Sequence, residues 1–321
     1  MCTKCGTRVH MSGDYCRHDD IAYFGSYPQT EVYDDATVAT LNDLAGARPT
    51  ADDSKSWTSY DYYFNGSVKD IMWYIDIENA GVKYRGVYFS QVRSSFTAVN
   101  SVPNSAQSAN NYDKNTVYWF KYEPIRWKIL KEEDGKAFLL AEIALDSQNY
   151  YTSDQSHEVD GATVGANNYQ HSTIRAWLNE TFYNTAFSAL QKELILTTKV
   201  DNSTLSTSSS VGEDIENADV CDDTQDKVFL LSAQEHAIYL SKASEAGRKG
   251  TDYAMCQGVQ AAISNGTTNY SETLEGNCYW LMRSPSGFKG YVAICDYRGV
   301  RVNTLAQESC NGIVPALWIK L

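Results

Sequence analysis

A hairpin signal near the middle of the chain narrows the possible folds more than any other feature. Residues 117–130 and 137–141 are rich in aromatic and β-branched side chains, and Asp134-Gly135 lies between them. Asp-Gly readily adopts the left-handed backbone of a two-residue turn that joins antiparallel strands. Further strand signals at 71–77 and 82–92 flank a second short turn. The sequence therefore predicts an antiparallel sheet.

Helical patterns separate this hairpin from the strands at the end of the chain. Residues 36–45 repeat apolar side chains at helical spacing after Asp35, the expected helix cap. Residues 173–196 carry a longer apolar stripe, which we expect to break near Asn184. Ser232 and Glu235 form a capping box that opens a third helix. Strands, then helices, then strands predict a fold of the α+β class.

Composition and charge exclude some classes of partner. Hydrophobic residues make up 43% of the chain and charged residues 21%, which are values typical of globular proteins. The net charge of −13 and the lack of a basic run argue against nucleic acid and anionic membranes. No apolar run approaches the ~18–20 residues that span a bilayer, so we expect no membrane insertion. The 23 Tyr and 7 Trp suit either a core or a binding face.

Cysteine spacing at the start of the chain predicts a metal site. Cys2-x-x-Cys5 has the spacing of a zinc knuckle, and Cys16 and His18 complete four ligands, with His10 as a substitute for His18. We therefore expect a structural zinc ion. A degenerate ribbon without metal is the alternative.

These features predict the domain organisation and the compartment. Residues 1–20 form a zinc-ribbon-like segment, and residues 21–321 form one domain with inserted loops at about 47–115 and 201–226. The sequence begins without the charged and apolar regions of a secretory signal, so we expect a cytoplasmic protein with reduced thiols.

Motifs for catalysis are missing from the sequence. The chain has no G-x-S-x-G elbow and neither of the glycine-rich phosphate-binding patterns. His157, His171 and His236 are interpreted as surface or capping histidines. Paired carboxylates cannot be identified by spacing among 40 acidic residues. We therefore expect a protein that binds a ligand and is not an enzyme.

The C-terminal block carries the candidate binding residues. Its ends, 279–285 and 313–319, are aromatic or aliphatic and predict a rigid frame, with Trp280 and Trp318 in the core. Residues 286–310 have no periodic pattern and are chemically diverse, as expected for a surface that presents side chains for recognition. An ordinary β-meander with irregular loops is the alternative. The predicted ligand-binding residues are Phe288, Lys289, Tyr291, Cys295, Tyr297, Arg298, Arg301, Asn303, Leu305, Gln307 and Glu308.

Several short elements occur in order along the chain: F-G-x-Y-P-Q (24–29), P-I-x-W-x-I-L (124–130), L-D-S-Q-x-Y (145–150), I-R-x-W-L-N (174–179), F-Y-N-x-A-F (182–187), D-K-V-F-L-L-S (226–232), R-S-P (283–285) and G-x-x-P-A-L-W (312–318). Together they resemble a bacterial domain family of unknown function that is often appended to zinc ribbons. The resemblance covers roughly residues 20–321, and Val314 departs from it because the family usually carries arginine there.

The end of that family resembles the C-type-lectin-like fold of formylglycine-generating enzymes and of the variable proteins of diversity-generating retroelements. The resemblance implies a C-type-lectin-like domain whose C-terminal surface positions vary, in a bacterial or phage protein. Formylglycine generation uses a close cysteine pair, whereas Cys295 and Cys310 lie far apart in the sequence. The expected function is binding of a partner, with a protein favoured over a sugar. A structural or regulatory module anchored through its zinc ribbon, or an enzyme with an unrecognised site, are the alternatives.

Overall fold

Strands supply most of the regular structure. The computed structural model describes residues 11–12, 15–50, 52–60, 63–64, 67–68, 70–93, 106–207, 221–262 and 272–321. In chain order, the strands in these ranges are β1 (Met11–Ser12), β2 (Tyr15–His18), β3 (Ile21–Glu31), β4 (Thr58–Ser59), β5 (Tyr63–Phe64), β6 (Ser67–Val68), β7 (Met72–Asn79), β8 (Val82–Phe89), β9 (Val117–Glu133), β10 (Lys136–Ala141), β11 (Asp146–Gln148), β12 (His157–Val159), β13 (Ala162–Val164), β14 (Thr198–Val200), β15 (Thr224–Asp226), β16 (Arg248–Lys249), β17 (Asn277–Cys278), β18 (Trp280–Pro285), β19 (Tyr291–Cys295), β20 (Arg301–Leu305), β21 (Asn311–Ile313) and β22 (Ala316–Lys320).

The helices of the described ranges are mostly short. A π-helical turn, Leu178–Phe182, lies between α3 and α4, and a 3-10 turn covers Glu272–Leu274. The α-helices are α1 (Asp35–Ala45), α2 (Ala106–Ala109), α3 (Thr173–Trp177), α4 (Tyr183–Ala186), α5 (Ala189–Leu194), α6 (Thr204–Thr207), α7 (Ala233–Tyr239), α8 (Ala243–Ala246) and α9 (Asp252–Gln257). The predicted α+β class is confirmed, with sheet predominating.

The largest sheet curls into a half-barrel around the long strand β9. Its strands follow the order β1-β2-β3-β9-β8-β7-β4, and β10 pairs with both β9 and β22. The predicted hairpin is confirmed, since β9 and β10 are antiparallel and Asp134 and Gly135 both have positive φ, 49° and 70°. Side chains of β9 and β10, such as Trp127 and Leu139, lie fully buried in the main core.

A bulge in β3 explains the glycine of the F-G-x-Y-P-Q element. The register of β3 against β9 shifts between Tyr23 and Ser26, and Gly25 between them has a φ of 75°. A Cβ atom at Gly25 would lie 2.6 Å from the ring of Phe187. Glycine alone tolerates both this backbone and this contact. After the bulge, the side chain of Tyr27 is buried in the protein interior.

The second sheet has five strands, and its two edge strands lie on opposite sides of a buried centre. Its order is β11-β21-β18-β19-β20, so β11 and β20 are the edge strands. Every residue of β18 and β21 is buried. Within β18, Arg283 is only 1% exposed; it donates to the Leu230 carbonyl oxygen (2.7 Å) and pairs with Glu235. The R-S-P element is therefore part of the frame.

Most of the helix and strand predictions are confirmed, with shifted ends. The helix predicted at 36–45 is α1, but its cap is Asp34 and not the expected Asp35, because the Asp34 side chain accepts from the Thr37 amide. The strands predicted at 71–77 and 82–92 are β7 and β8. The capping box of Ser232 and Glu235 is present. The apolar stripe at 173–196 breaks at Phe187 instead of Asn184, because Ser188 caps a new helix.

Strands β4, β7 and β8 lie within 47–115, the region expected to hold inserted loops, and they extend the large sheet. Trp318 was expected in the core, but it is half-buried and stacks on Phe138 with 5.0 Å between ring centroids. Within the described residues, no helix has the length and apolar composition needed to cross a membrane.

Candidate functional site

A cavity lined by tyrosines lies where the two sheets meet the helical segment that begins at Thr173. We call it the tyrosine cavity; its volume is about 190 Å³. Residues from β3, β7, β8, β11 and α9 contribute to its walls. The lining residues are Tyr27, Thr58, Ser59, Tyr60, Tyr74, Arg85, Asp146, Gln148, Trp177, Thr181 and Tyr253.

Asp146 is the buried carboxylate of this cavity. Its side chain is 1% exposed. The Tyr27 hydroxyl donates to its Oδ2 at 2.6 Å, and the Ser147 amide donates to its Oδ1 at 2.7 Å. Burial raises the pKa of Asp146 although these hydrogen bonds act to lower it. The protein therefore keeps an acceptor at a position where its charge is unfavourable, which is common at functional sites.

Arg85 supplies the positive charge of the cavity, and Asp76 balances it. The Nε and Nη2 atoms of Arg85 donate to the two carboxylate oxygens of Asp76 at 2.8 and 2.9 Å. Burial alone would raise the pKa of Asp76, but its bonds to Arg85 lower it. The Arg85 guanidinium also lies 4.3 Å from the centroid of the Tyr74 ring. The charge of Arg85 is thus satisfied inside the protein.

A chain of phenol groups completes the wall. The hydroxyls of Tyr60 and Tyr253 lie 2.9 Å apart, and Gln257 Nε2 donates to the Tyr60 oxygen at 3.1 Å. The Arg85 Nη1 atom lies 3.4 Å from the Tyr253 hydroxyl. Burial raises the pKa of Tyr27 and of Tyr60 well above the ordinary value. These phenols stay protonated at neutral pH and serve as neutral donors and acceptors.

A groove continues from the cavity along the helical segment. We call it the helix groove; its volume is about 200 Å³, and it shares Gln148, Trp177 and Thr181 with the tyrosine cavity. A third cavity of about 490 Å³ shares Ala176 and Glu180 with the groove. Apart from Gln148 of β11, the shared residues belong to α3 and the π-helical turn, and such turns are frequent at functional sites. The three cavities form one row.

The structure places the predicted ligand-binding residues in three different environments. Phe288, Lys289 and Arg298 are exposed. Half-buried positions are Tyr291, Arg301, Asn303 and Leu305. Buried positions are Cys295, Tyr297, Gln307 and Glu308.

The expectation that all of 286–310 faces outward is therefore wrong for the buried positions. Cys295 ends β19, which lies between two other strands, and burial raises its pKa to about 12. Tyr297 packs edge-on against Tyr279 with 5.6 Å between ring centroids. Glu308 is completely buried, and its Oε2 lies 3.6 Å from the sulfur of Cys310. The patternless sequence thus contains core positions that periodicity does not detect.

The predicted zinc ligands are described only in part. Cys2 and Cys5, as well as His10, lie outside the described residues. Cys16 is buried in β2, and His18 on the same strand is exposed, with its Nδ1 3.1 Å from Asp19 Oδ2. In the described part of the chain, no group of three or more metal-binding side chains occurs. The zinc site stays a prediction.

The histidines also differ from their expected positions. His236 was expected at the surface or in a cap, but it is 4% exposed and packs against Trp280 with 5.7 Å between ring centroids. Burial lowers its pKa to about 4, with help from the charges of Arg301 and Arg248. His157 is half-buried and stacks on Tyr151. Neither histidine lines the row of cavities, whereas His171 is half-buried and lines the third cavity.

Comparison with known families gives one match. Residues 134–321 match the model of a domain of unknown function, DUF6273. The chain belongs to this family. No curated protein and no solved structure matched it. The DUF6273 match includes Asp146, Gln148, Trp177, Thr181 and Tyr253, whereas the remaining lining residues precede it. The tyrosine cavity therefore lies between the DUF6273 segment and the strands before it.

The central residues of this site lie within the short sequence motifs that carry the family resemblance, although no local sequence pattern assigns them a role. Tyr27 belongs to the F-G-x-Y-P-Q element, Asp146 and Gln148 to L-D-S-Q-x-Y, and Trp177 to I-R-x-W-L-N. The signal that could have identified these site residues is the presence of polar or amphipathic side chains within elements that are otherwise apolar. Val314, where the resemblance has arginine, is fully buried and does not line the row.

Proposed function

We propose that this DUF6273 protein is a non-catalytic binding module and that its ligand occupies the tyrosine cavity and the helix groove. One observation carries the proposal: residues from distant parts of the chain keep a destabilised carboxyl, Asp146, at the wall of a cavity. Buried groups whose charge is disfavoured in this way cluster at functional sites.

Binding fits this cavity better than catalysis. Among the described residues, Asp146 is the one carboxylate of the tyrosine cavity, and Glu180, the carboxylate of the helix groove, lines the neighbouring cavity. Hydrolysis of glycosidic bonds usually needs a pair of carboxylates that face each other across one site. Burial raises the pKa of Cys256 and Cys278, which disfavours thiolate chemistry. Ligand binding requires no more than the donors, acceptors and rings that are present.

The decisive experiment is the substitution Asp146→Asn, which replaces one carboxylate oxygen by an amide nitrogen. Asp146→Asn keeps the shape and removes the unfavourable charge, so the free energy of unfolding should stay equal or rise. Affinity for a ligand should fall at least tenfold. Ligands would be found by ligand-observed NMR with mixtures of carbohydrates, peptides and metabolites, and stability would be measured by urea unfolding.

Asp296→Asn is the matched control. Asp296 is also buried, but it accepts from the Arg298 side chain and the Val300 amide in the loop before β20, away from the cavity. This variant should lose stability and keep its affinity. Equal affinity of Asp146→Asn and the natural chain for every ligand found would contradict the proposal.

A second candidate function uses the C-terminal block. Phe288, Lys289 and Arg298 are exposed between fully buried frame strands, and the side chains of β20 are half-buried. This arrangement supports a reduced version of the retroelement-type variable surface, which would contact a protein partner on a C-type-lectin-like frame. Adenine-rich codons at these positions, compared with a template repeat in the source genome, test it.

We also keep the zinc ribbon as a proposal. Cys16 and His18 lie on one strand at spacing two, so both side chains belong to the same face of β2. With Cys2 and Cys5 they would hold a structural zinc ion in a reducing compartment. Elemental analysis of the purified protein should give about one zinc per chain, and Cys2→Ser should remove it.

A further inference from the structure

The chemistry of the tyrosine cavity narrows the class of ligand, on the assumption that the proposed function holds. Charge is the first criterion. Arg85 is the cation of the wall, and its guanidinium already binds both oxygens of Asp76. An anionic ligand would have to compete with Asp76 and would face Asp146. Anions such as phosphate or carboxylate are therefore disfavoured.

A cationic ligand is disfavoured for the complementary reason. Aromatic rings attract cations, but the ring of Tyr74 already holds Arg85 at 4.3 Å, and the rings of Tyr27 and Tyr253 lie about 6 Å from the same guanidinium. A second cation would meet a like charge beside these rings. The ligand of this cavity should therefore be neutral.

The polar groups of the two cavities suit a ligand rich in hydroxyls. Asp146 and, in the groove, the exposed Glu180 are acceptors, Arg85 is a donor, and most of the other polar side chains are hydroxyls or amides that both donate and accept. A hydroxyl group on the ligand can donate to a carboxylate and accept from Arg85. The neutral dual-function groups are Thr58, Ser59, Gln148, Asn149, Thr173 and Thr181.

The first two cavities of the row, the tyrosine cavity and the helix groove, suit two successive units of similar size. The tyrosine cavity and the helix groove have nearly equal volumes, about 190 and 200 Å³, each close to the size of one sugar ring. Trp177 lines both, and it is half-buried, with one side packed near Phe182 at 5.6 Å between ring centroids. An indole at such a junction offers an apolar face to the C–H side of a sugar ring.

We infer that this protein binds a neutral oligosaccharide, with one sugar ring in the tyrosine cavity and the next against Trp177. A peptide offers about one backbone donor and one backbone acceptor per residue, so it presents fewer hydrogen-bonding groups to this wall than a sugar ring with several hydroxyls. A peptide ligand is therefore an outcome of the test and not part of the inference.

The test uses the full chain and defined trisaccharides. The probes are maltotriose, cellotriose, xylotriose, mannotriose and N-acetylchitotriose at millimolar concentration, with trigalacturonic acid as the anionic comparison. Isothermal titration calorimetry should detect at least one neutral trisaccharide, bound at least tenfold more tightly than its monosaccharide. Trigalacturonic acid should not bind. Absence of binding by all neutral probes, or binding of the anionic one alone, would overturn the inference.

Variants locate the binding on the row. Trp177→Ala and Thr181→Val should each weaken the trisaccharide at least fivefold, whereas Trp318→Ala should leave the affinity unchanged. Trp318 is the matched control because it is also half-buried but lines a different surface with Lys136 and Leu196. Unchanged affinity in Trp177→Ala, with an intact unfolding transition, would contradict the inference.

The outcome for the ligand class is separable from the proposed function. A peptide or metabolite that binds and loses at least tenfold in affinity in Asp146→Asn would refute the oligosaccharide and leave the binding module standing. A trisaccharide that binds independently of both Asp146 and Trp177 would refute both.

Discussion

The two edges of the five-stranded sheet differ in how much of their chemistry is already satisfied within the protein. At the β11 edge, Asp146 is buried at a cavity wall with its pKa raised. At the β20 edge, the Arg301 Nη1 atom donates to the Ala233 carbonyl oxygen at 3.0 Å, and Asp296 holds Arg298. Diverse residues at β20 thus serve the fold to a large extent, whereas Asp146 at β11 keeps a carboxyl whose charge is disfavoured by burial even though Tyr27 and Ser147 donate to it.

The comparison shows that chemical diversity in a sequence is a poor guide to a site. Residues 286–310 attract attention because they lack a pattern, yet the buried ones among them complete the core. Residues 145–150 look like an ordinary strand and turn, yet they bring a carboxylate to a cavity. Four predictions test whether the β20 edge is structural and the β11 edge belongs to a binding site.

The frame shared by both edges should show the largest effect. Trp280 is fully buried in β18, and its indole nitrogen donates to the Ala246 carbonyl oxygen at 3.1 Å. Trp280→Ala should lower the free energy of unfolding by about 3–5 kcal/mol, because it removes a large buried ring and leaves a cavity. Urea unfolding measures this. A loss below about 1 kcal/mol would mean that β18 is not the common frame.

Tyr297 separates a display role from a structural role at the β20 edge. Because this side chain is buried against Tyr279, Tyr297→Ala should cost about 2–4 kcal/mol of stability. Thermal unfolding with Tyr297→Phe as a control, which keeps the ring, would measure the effect. If Tyr297→Ala kept full stability, the Tyr297 side chain would not contribute to the core and could belong to the binding surface.

Acid should weaken the β20 side through His236. Its folded-state pKa, about 4, lies below the ordinary value of 6.5, so the unfolded chain takes up the proton first as the pH falls. The stability contributed by neutral His236 is present above pH 6.5 and is lost progressively down to about pH 4. The loss amounts to about 3 kcal/mol.

The measurement is urea unfolding of the natural chain and of His236→Leu at several pH values between 7 and 4.5. The variant lacks the proton uptake, so its stability should fall less over this range. Asp146 acts with the opposite sign, because its raised pKa lowers the stability at neutral pH and protonation relieves this. If the stability of the two proteins changed with pH in parallel, the folded-state pKa of His236 would not be lowered, and the prediction would be wrong.

The smallest effects should come from the exposed residues of the C-terminal block. Phe288→Ala and Arg298→Ala remove side chains that face solvent, so each should change the free energy of unfolding by at most about 0.5 kcal/mol. Neither should change affinity at the tyrosine cavity. If either variant lost affinity, the ligand would have to contact both the β11 edge and the β20 edge.

Local sequence signals determined much of the fold. Asp134-Gly135 specified its hairpin because the dipeptide itself favours positive φ, and Ser232 with Glu235 specified a helix start because the capping bonds span only three residues. These features depend on neighbours along the chain. The same holds for the alternation that marks β7 and β8.

Only the tertiary structure decided where the site lies and which C-terminal residues are buried. Tyr27 and Asp146 are 119 positions apart, and their 2.6 Å hydrogen bond exists because a bulge in β3 and the edge of another sheet meet. The burial of Tyr297 and Glu308 likewise depends on elements far away in the sequence. Long-range packing sets such contacts, and no short window of residues encodes it.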